Sequence, residues 1–380
     1  MTRPLWSLRL AFGGLGITAS AFPAAIPSLA AQWDVQPARL LPAVPLLFGG
    51  LLAGVLATSL VPPRFLQRCL ALGGLLQAAA LLGFLVVAGP PVFWALAAVA
   101  GIGFGLVEAS ATVLARRLTT EVTSLLSQLT ALVAVAAALT PLPLAVLGAT
   151  PRLVGCLAVV PLAASIAVAG RWPPAAVHPV GRRRDGLPLV LVPAAVSLFA
   201  YVGAESVLSG WSSVLPQVLL GLSGASAAIG TSAFWCLLGA GRALAWLPLR
   251  RGRQPRALLR GFLGVAMVAS VGAAVVPSEP AAVALVAVAC LGIAPSYAFL
   301  LGYALEGVST ARAARATGPL VAVGSLGGTV VPALLVAHTG RTVLIWVAVM
   351  LVVVVAAAGG RRRLPEHGTS NDESAESPVG

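Results

Sequence analysis

Two glutamates stand inside long apolar runs. Glu108 lies in GIGFGLVEASATVLARR and Glu205 in YVGAESVLSGWSS. A carboxylate surrounded by hydrocarbon costs several kcal/mol unless it is protonated, paired or turned toward a wet cavity. A carboxyl that gains and loses a proton as water reaches it can couple proton movement to another event. One locked to a polar neighbour is structural, and Glu108 is open to both readings. It precedes Arg116 by eight residues, about 12 Å at ~1.5 Å per residue, which places it in the half of its helix nearer that arginine. Glu205 follows Pro188 by seventeen residues and reaches the middle of its segment or beyond. There it can bind a cation or a substrate hydroxyl, hold a gate, or cap a helix broken at Gly203 and Gly210.

The neighbouring residue types suggest what such a site would hold. Tyr201 and Glu205 are one helical turn apart and share a face with Leu208. Trp211 and Trp235 offer walls for a sugar ring or an apolar drug, or serve as interface anchors like Trp6, Trp33, Trp94, Trp172, Trp246 and Trp346. Gln128 and Gln77 can hydrogen-bond into a cavity or between helices. Arg242, after Gly239 and Gly241, is either a latch that pairs with a carboxylate or helix end, or a snorkelling residue. Glu306, beside Arg312 and Arg315, has the same two readings. The expected site is therefore Glu108, Glu205 and Arg242 for coupling, with Tyr201, Trp211, Trp235 and Gln128 around the cavity. No catalytic set, metal site or cofactor is expected. Cys69, Cys156, Cys236 and Cys290 lack ligand spacing, and His178, His338 and His367 lie outside the helix centres. No GxxxxGK[ST] loop is present, which argues against ATP hydrolysis.

Composition dictates the elements that must position these groups. Hydrophobic residues make up 59% of 380, 41 residues are glycine and only 9% are charged. A soluble chain this apolar could not cover its core. An all-α integral membrane protein follows, with about 20 apolar residues per crossing. Twelve spans fit near 8–30, 41–61, 66–88, 92–114, 122–148, 152–169, 188–219, 224–247, 258–277, 281–305, 317–337 and 342–358. The fifth and seventh are interrupted by Pro141, Pro143, Gly203, Gly210 and Pro216. The first, with Pro23 and Pro27, reads as an uncleaved helix rather than a signal peptide.

All 24 basic residues are arginine, and 21 fall on one side of the expected topology, leaving Arg39, Arg152 and Arg341 on the other. That bias places both termini in the cytoplasm of a multi-pass cell-membrane protein. It also accounts for the net charge of +13 without nucleic acid as a partner. The absence of lysine beside abundant Ala, Gly and Pro fits a GC-rich bacterial genome. Residues 1–169 and 188–360 form two six-helix sets, with a cytoplasmic linker at 170–187 and a disordered cytoplasmic tail at 361–380. Paired small residues, Gly50 and Gly54, Gly101 and Gly105, Gly324 and Gly328, suit close helix packing.

The opening GITASAFPAAIPSLAAQWDV, the second span LLFGGLLAGVLATSL and the following GVLATSLVPPRFLQR make residues 5–360 resemble the major facilitator superfamily. Gly54, Arg64 and Arg68 remain of its basic loop signature, which is degraded because the acidic partner is absent and Thr58 or Ser59 stands near its place. The fourth-span motif around Glu108, the seventh-span YVGAESVLSGWSS and the eighth-span FWCLLGAGR are similar to the fucose-permease-like and related sugar and drug branches. The resemblance implies two six-helix bundles rocking about a central site, a monomer in the lipid bilayer, and a small organic solute moved together with or against protons. The first span lacks the acid that sugar porters use for proton coupling. Sugar uptake and export of a drug or secondary metabolite both remain open. A membrane-embedded enzyme lacks a convergent catalytic set here, and a channel lacks a continuous polar path.

Overall fold

The computed structural model describes residues 2–115, 118–119, 122–168, 191–305, 310–338 and 340–359. The linker at 170–187, the tail at 361–380, Glu306, Arg116 and the side chains of Arg312 and Arg315 lie outside the described residues. The first four spans are single helices, α1 (Thr2–Gln32), α2 (Ala43–Leu60), α3 (Leu66–Leu82) and α4 (Pro90–Ala115). The fifth is α5 (Val122–Leu139) with α6 (Pro141–Leu147), and the sixth is α7 (Pro151–Cys156) with α8 (Val159–Val168). In the second half the seventh span is α9 (Val192–Gly210) with α10 (Val214–Leu220), followed by α11 (Ile229–Arg250) and α12 (Pro255–Val275). The tenth is α13 (Glu279–Ile293) with α14 (Ser296–Leu305), and α15 (Thr310–Leu335) and α16 (Thr342–Gly359) complete the set. Eleven of these spans are long and apolar enough to cross a bilayer, and Thr342–Ala358 is a shorter apolar twelfth. Among the described residues there is no strand. The chain is a multi-pass, all-α membrane protein of two six-helix bundles.

Proline and glycine set the breaks. Pro141 and Pro151 open helices, where a missing N–H is harmless, and the Thr150 side chain caps the second of these by accepting from the Leu153 amide at 3.3 Å. Gly148 and Gly221 end helices with φ of 79° and 62°, values that favour glycine. The break at Pro295, between α13 and α14, was not expected from the sequence. It proves important for the site.

Close packing of backbones fixes α4. A Cβ built on Gly50 would strike the Ala98 carbonyl, and one on Gly54 the Ile102 carbonyl. In return, Cβ atoms on Gly101 and Gly105 would strike the carbonyls of Leu47 and Leu51. Gly103 approaches α3 instead, against the Gly73 carbonyl. Helix association inside a bilayer depends on such contacts because lipid tails are as apolar as leucine. On α15, Gly327 makes the comparable backbone approach, to Phe199 of α9, whereas Gly328 meets the Phe48 ring of the other half.

The halves are stitched at the arginine-poor end. Pro27 cannot supply the helical N–H to the carbonyl of Pro23, four residues back, and Ser213 from the other half donates to it at 2.6 Å. Ser28 donates to the Gly224 carbonyl at 3.3 Å, again across the two halves. At the same end Gly210 of α9 packs on Val44 of α2.

Candidate functional site: a cavity between the two halves

A cavity of 250 Å³ lies between the bundles. From the first half α1 contributes Phe22 and Pro23, α2 contributes Val44, Phe48 and Leu51, α4 contributes Phe104 and Glu108, and α5 contributes Thr130 and Val133. The second half adds Glu205, Ser206 and Ser209 from α9, Phe234, Trp235 and Arg242 from α11, Tyr297 from α14 and Ser325 from α15. Phe104 and Glu108 reach it together because they are one helical turn apart on a helix whose other faces are occupied by α2 and α3.

The charged groups are distributed unequally. Arg242 Nη2 lies 3.8 Å from Glu205 Oε1, and its Nε donates to the Ala294 carbonyl at 3.3 Å. That carbonyl sits beside Pro295, where the helix break removes its usual helical partner. The break thus supplies the acceptor that aims Arg242 across α11 at Glu205. The Glu108 carboxylate has no hydrogen-bond or ion-pair partner among the described residues. Tyr297 lies within electrostatic reach of both carboxylates. With both glutamates ionised, the cavity carries two negative charges and one positive.

The cavity hydroxyls are largely committed to their own helices. Ser206 donates to Val202 at 2.6 Å, Ser325 to Val321 at 3.1 Å, and Thr130 to Leu126. Among the described residues no asparagine, glutamine or histidine lines the space. The remaining wall is aliphatic and aromatic, with Phe234 and Trp235 edge to face at 5.5 Å.

The sequence-derived residues divide accordingly. Glu108, Glu205, Arg242 and Trp235 all line the cavity. Tyr201 does not reach the lining. It is fully buried behind Glu205, with its ring 6.2 Å from that of Tyr297. Trp211, expected as a wall, is a core residue whose Nε1 donates to the His338 carbonyl at 2.6 Å. The end of α9 at Gly210 turns it away from the cavity. Gln128, also expected in the cavity, is exposed on the outer side of α5 in a groove with Trp6 and Arg9. Two residues separate it from Thr130, a rotation of about 200° around the helix. Gln77 holds α1 to α3 by accepting from Thr18 at 2.8 Å. The phenylalanines were not assigned from sequence, whereas Tyr297 is open in the sequence to a cavity or an interhelical role and lines the cavity. Phe104 was legible, since it stands four residues before Glu108.

No protein-family model and no curated protein matches the chain. Solved structures do match. The xylose transporter XylE from E. coli, in a partially occluded inward open conformation, superposes with a TM-score of 0.74 at 14% identity, covering 94% of this chain and 95% of that one. A bacterial homologue of the human lysosomal transporter Spinster, inward-facing and occupied, gives 0.71 at 13%, covering 93% and 94%. The nucleoside transporter NupG gives 0.66 at 12%, covering 94% and 98%. This chain has the major facilitator fold. The match extends over both bundles, so the cavity occupies the interface between complete halves. At these identities the likeness is one of fold, and the chemistry of the cavity must be read from its own residues.

Proposed function

We propose that the protein is a secondary active transporter that moves a small organic solute by alternating access and couples that movement to protons. The observation that carries this reading is the position of Glu108. It is a carboxyl without a partner among the described residues, on the first-half wall of a cavity whose opposite wall holds the Glu205–Arg242 pair. A carboxyl so placed is stable when protonated or when a solute supplies a counter-charge, and it is costly when bare. Rocking of the two bundles about this space would alter its access to water and so its proton. The same fold in the xylose, nucleoside and lysosomal-type transporter structures supports the reading. The arginine bias supports a cytoplasmic position for both termini, which makes the stitched end the outer one and the state inward-facing.

Between uptake of a sugar and export of a more apolar compound, the lining favours the second. A polyhydroxylated solute needs a dense set of free donors and acceptors. Among the described residues the wall has no amide side chain, and three of its hydroxyls already donate to their own helices. The likeness to fucose-permease-like proteins rests on the fourth-span motif around Glu108, the seventh-span YVGAESVLSGWSS and the eighth-span FWCLLGAGR. Trp211 is buried away from the cavity.

Proton movement in proteoliposomes, followed during a screen of sugars, amino acids and lipophilic cations, tests the proposal against Glu108→Gln. A solute-dependent proton flux lost in the variant supports it. A flux of unchanged size in the variant removes Glu108 from the coupling step and leaves Glu205 as the next candidate.

A further inference from the structure

We infer that the solute is a monovalent, largely apolar organic cation, which Glu108 holds in place of a proton. The inference rests on the transporter reading and specifies what its central site accepts. Its first support is charge. Glu205 and Arg242 neutralise one another at 3.8 Å, so among the described residues the uncompensated charged group on the cavity wall is Glu108. One positive charge restores neutrality, and it can arrive as a proton or on a solute. A neutral solute leaves the carboxyl protonated and an anion meets repulsion from it, whereas a dication leaves one charge in excess.

The second support is the wall. Phe22, Phe48, Phe104, Phe234, Trp235 and Tyr297 all face the space. Ring faces attract organic cations, which shed water more readily than small inorganic ones. Flat rings around a single carboxylate recognise an ammonium whose substituents are hydrocarbon. A cavity of 250 Å³ accepts one aromatic amine or quaternary ammonium of modest size.

Binding is then an exchange. The protonated Glu108 carboxyl releases its proton to water, and the resulting carboxylate pairs with the cation, so charge in the cavity is unchanged. The groups that face this exchange are few. Across the cavity stand Glu205 with Arg242, Tyr297, and Tyr201 behind them. From α2 and α5 the facing residues are Phe48, Leu51, Val133 and Thr130, none of which titrates in the working range. Cation binding must therefore weaken as pH falls, by up to about tenfold per unit once Glu108 is protonated in the free protein.

Titration calorimetry on purified protein in nanodiscs, with benzyltrimethylammonium as the probe, tests this directly. Its charge is permanent, so any pH dependence belongs to the protein. The uncharged alcohol 2-methyl-1-phenyl-2-propanol has nearly the same shape and serves as comparator, and D-xylose represents the sugar reading. The expected result is binding of the cation at least tenfold tighter than the alcohol, with release of close to one proton per cation in buffers of different ionisation enthalpy. Glu108→Gln should lose the proton release and at least tenfold of cation affinity, which closes the gap between the cation and the alcohol. Should that variant fail to fold, Glu108→Asp, which keeps the carboxyl, should retain proton release. Equal affinity for cation and alcohol, preference for D-xylose, or proton release surviving in Glu108→Gln would overturn the inference. Cation binding without any transport in proteoliposomes would instead count against the transporter reading and leave the cation site standing.

Discussion

Arg242 bridges Glu205, at 3.8 Å, and the Ala294 carbonyl freed at the Pro295 break, at 3.3 Å. The ion pair is thus tied to a backbone irregularity in another helix, and three elements, α9, α11 and the α13–α14 junction, share one fixed geometry. Partial exposure of the pair to the cavity, at 40% for Arg242 and 21% for Glu205, limits its contribution to stability.

Removing one partner leaves the other charge alone in a low-dielectric space. Arg242→Ala and Glu205→Gln should each lower transport at least tenfold, and the double variant should recover part of the loss. A double-mutant cycle on thermal unfolding in detergent should give a coupling of about 1 kcal/mol, within the range for neighbouring charges. Strict additivity would mean that the pair is not formed in the populated state.

The two tryptophans should separate by readout. Trp235 lines the cavity, so Trp235→Ala should raise the KM of the transported solute several-fold with a small change in Tm. Trp211 is fully buried and hydrogen-bonded to His338, so Trp211→Ala should cost about 3–5 kcal/mol of stability. The folded fraction of that variant should keep its KM. Exchange of these two phenotypes would contradict the placement of both side chains.

The α2–α4 contact should be intolerant of added volume. A side chain on Gly105 meets the Leu51 carbonyl and the Cα of Gly54, both backbone atoms that cannot swing aside. Gly105→Val should destabilise by about 1–3 kcal/mol or more and displace Glu108, three residues on. Gly302→Ala, where a Cβ has nothing within 4 Å, is the control and should be near neutral. Monodispersity and Tm in detergent measure both.

Much of this architecture is legible in the chain itself because hydrocarbon thickness imposes a length on every apolar run. The expected spans overlap the observed ones throughout, and the two glutamates announce themselves by cost. Rotation about each helix is harder to read. A soluble helix shows a polar stripe, but α4, α5 and α11 are apolar nearly all round, so neither hydropathy nor periodicity says which face meets a cavity. Gln128 was drawn to the cavity by its polarity, although Thr130 and Val133 define the inner face. Trp211 was drawn there by its size, and the turn after Gly210 directs it elsewhere. The Pro295 break has a local signal in the proline itself, but its tie to Arg242 is a contact between residues 52 apart in sequence, which no local pattern records.

The seam at the arginine-poor end yields the last prediction. Ser213 completes the hydrogen bonding of α1 where Pro27 has left the Pro23 carbonyl without its helical donor, and Ser28 reaches the Gly224 carbonyl. Alternating access requires this seam to part. A Cβ on Gly224 would lie 3.4 Å from the Cα of Ser28, close enough for a disulfide between cysteines at the two positions after a small adjustment of the Pro27 carbonyl nearby. In a background with the exposed Cys156 and Cys236 replaced by serine, Ser28→Cys with Gly224→Cys should cross-link under mild oxidation. Transport should stop on oxidation and return on reduction, while solute binding from the arginine-rich side persists. Undiminished transport by fully cross-linked protein would show that the seam does not open during the cycle, and the path of the solute would have to be sought elsewhere.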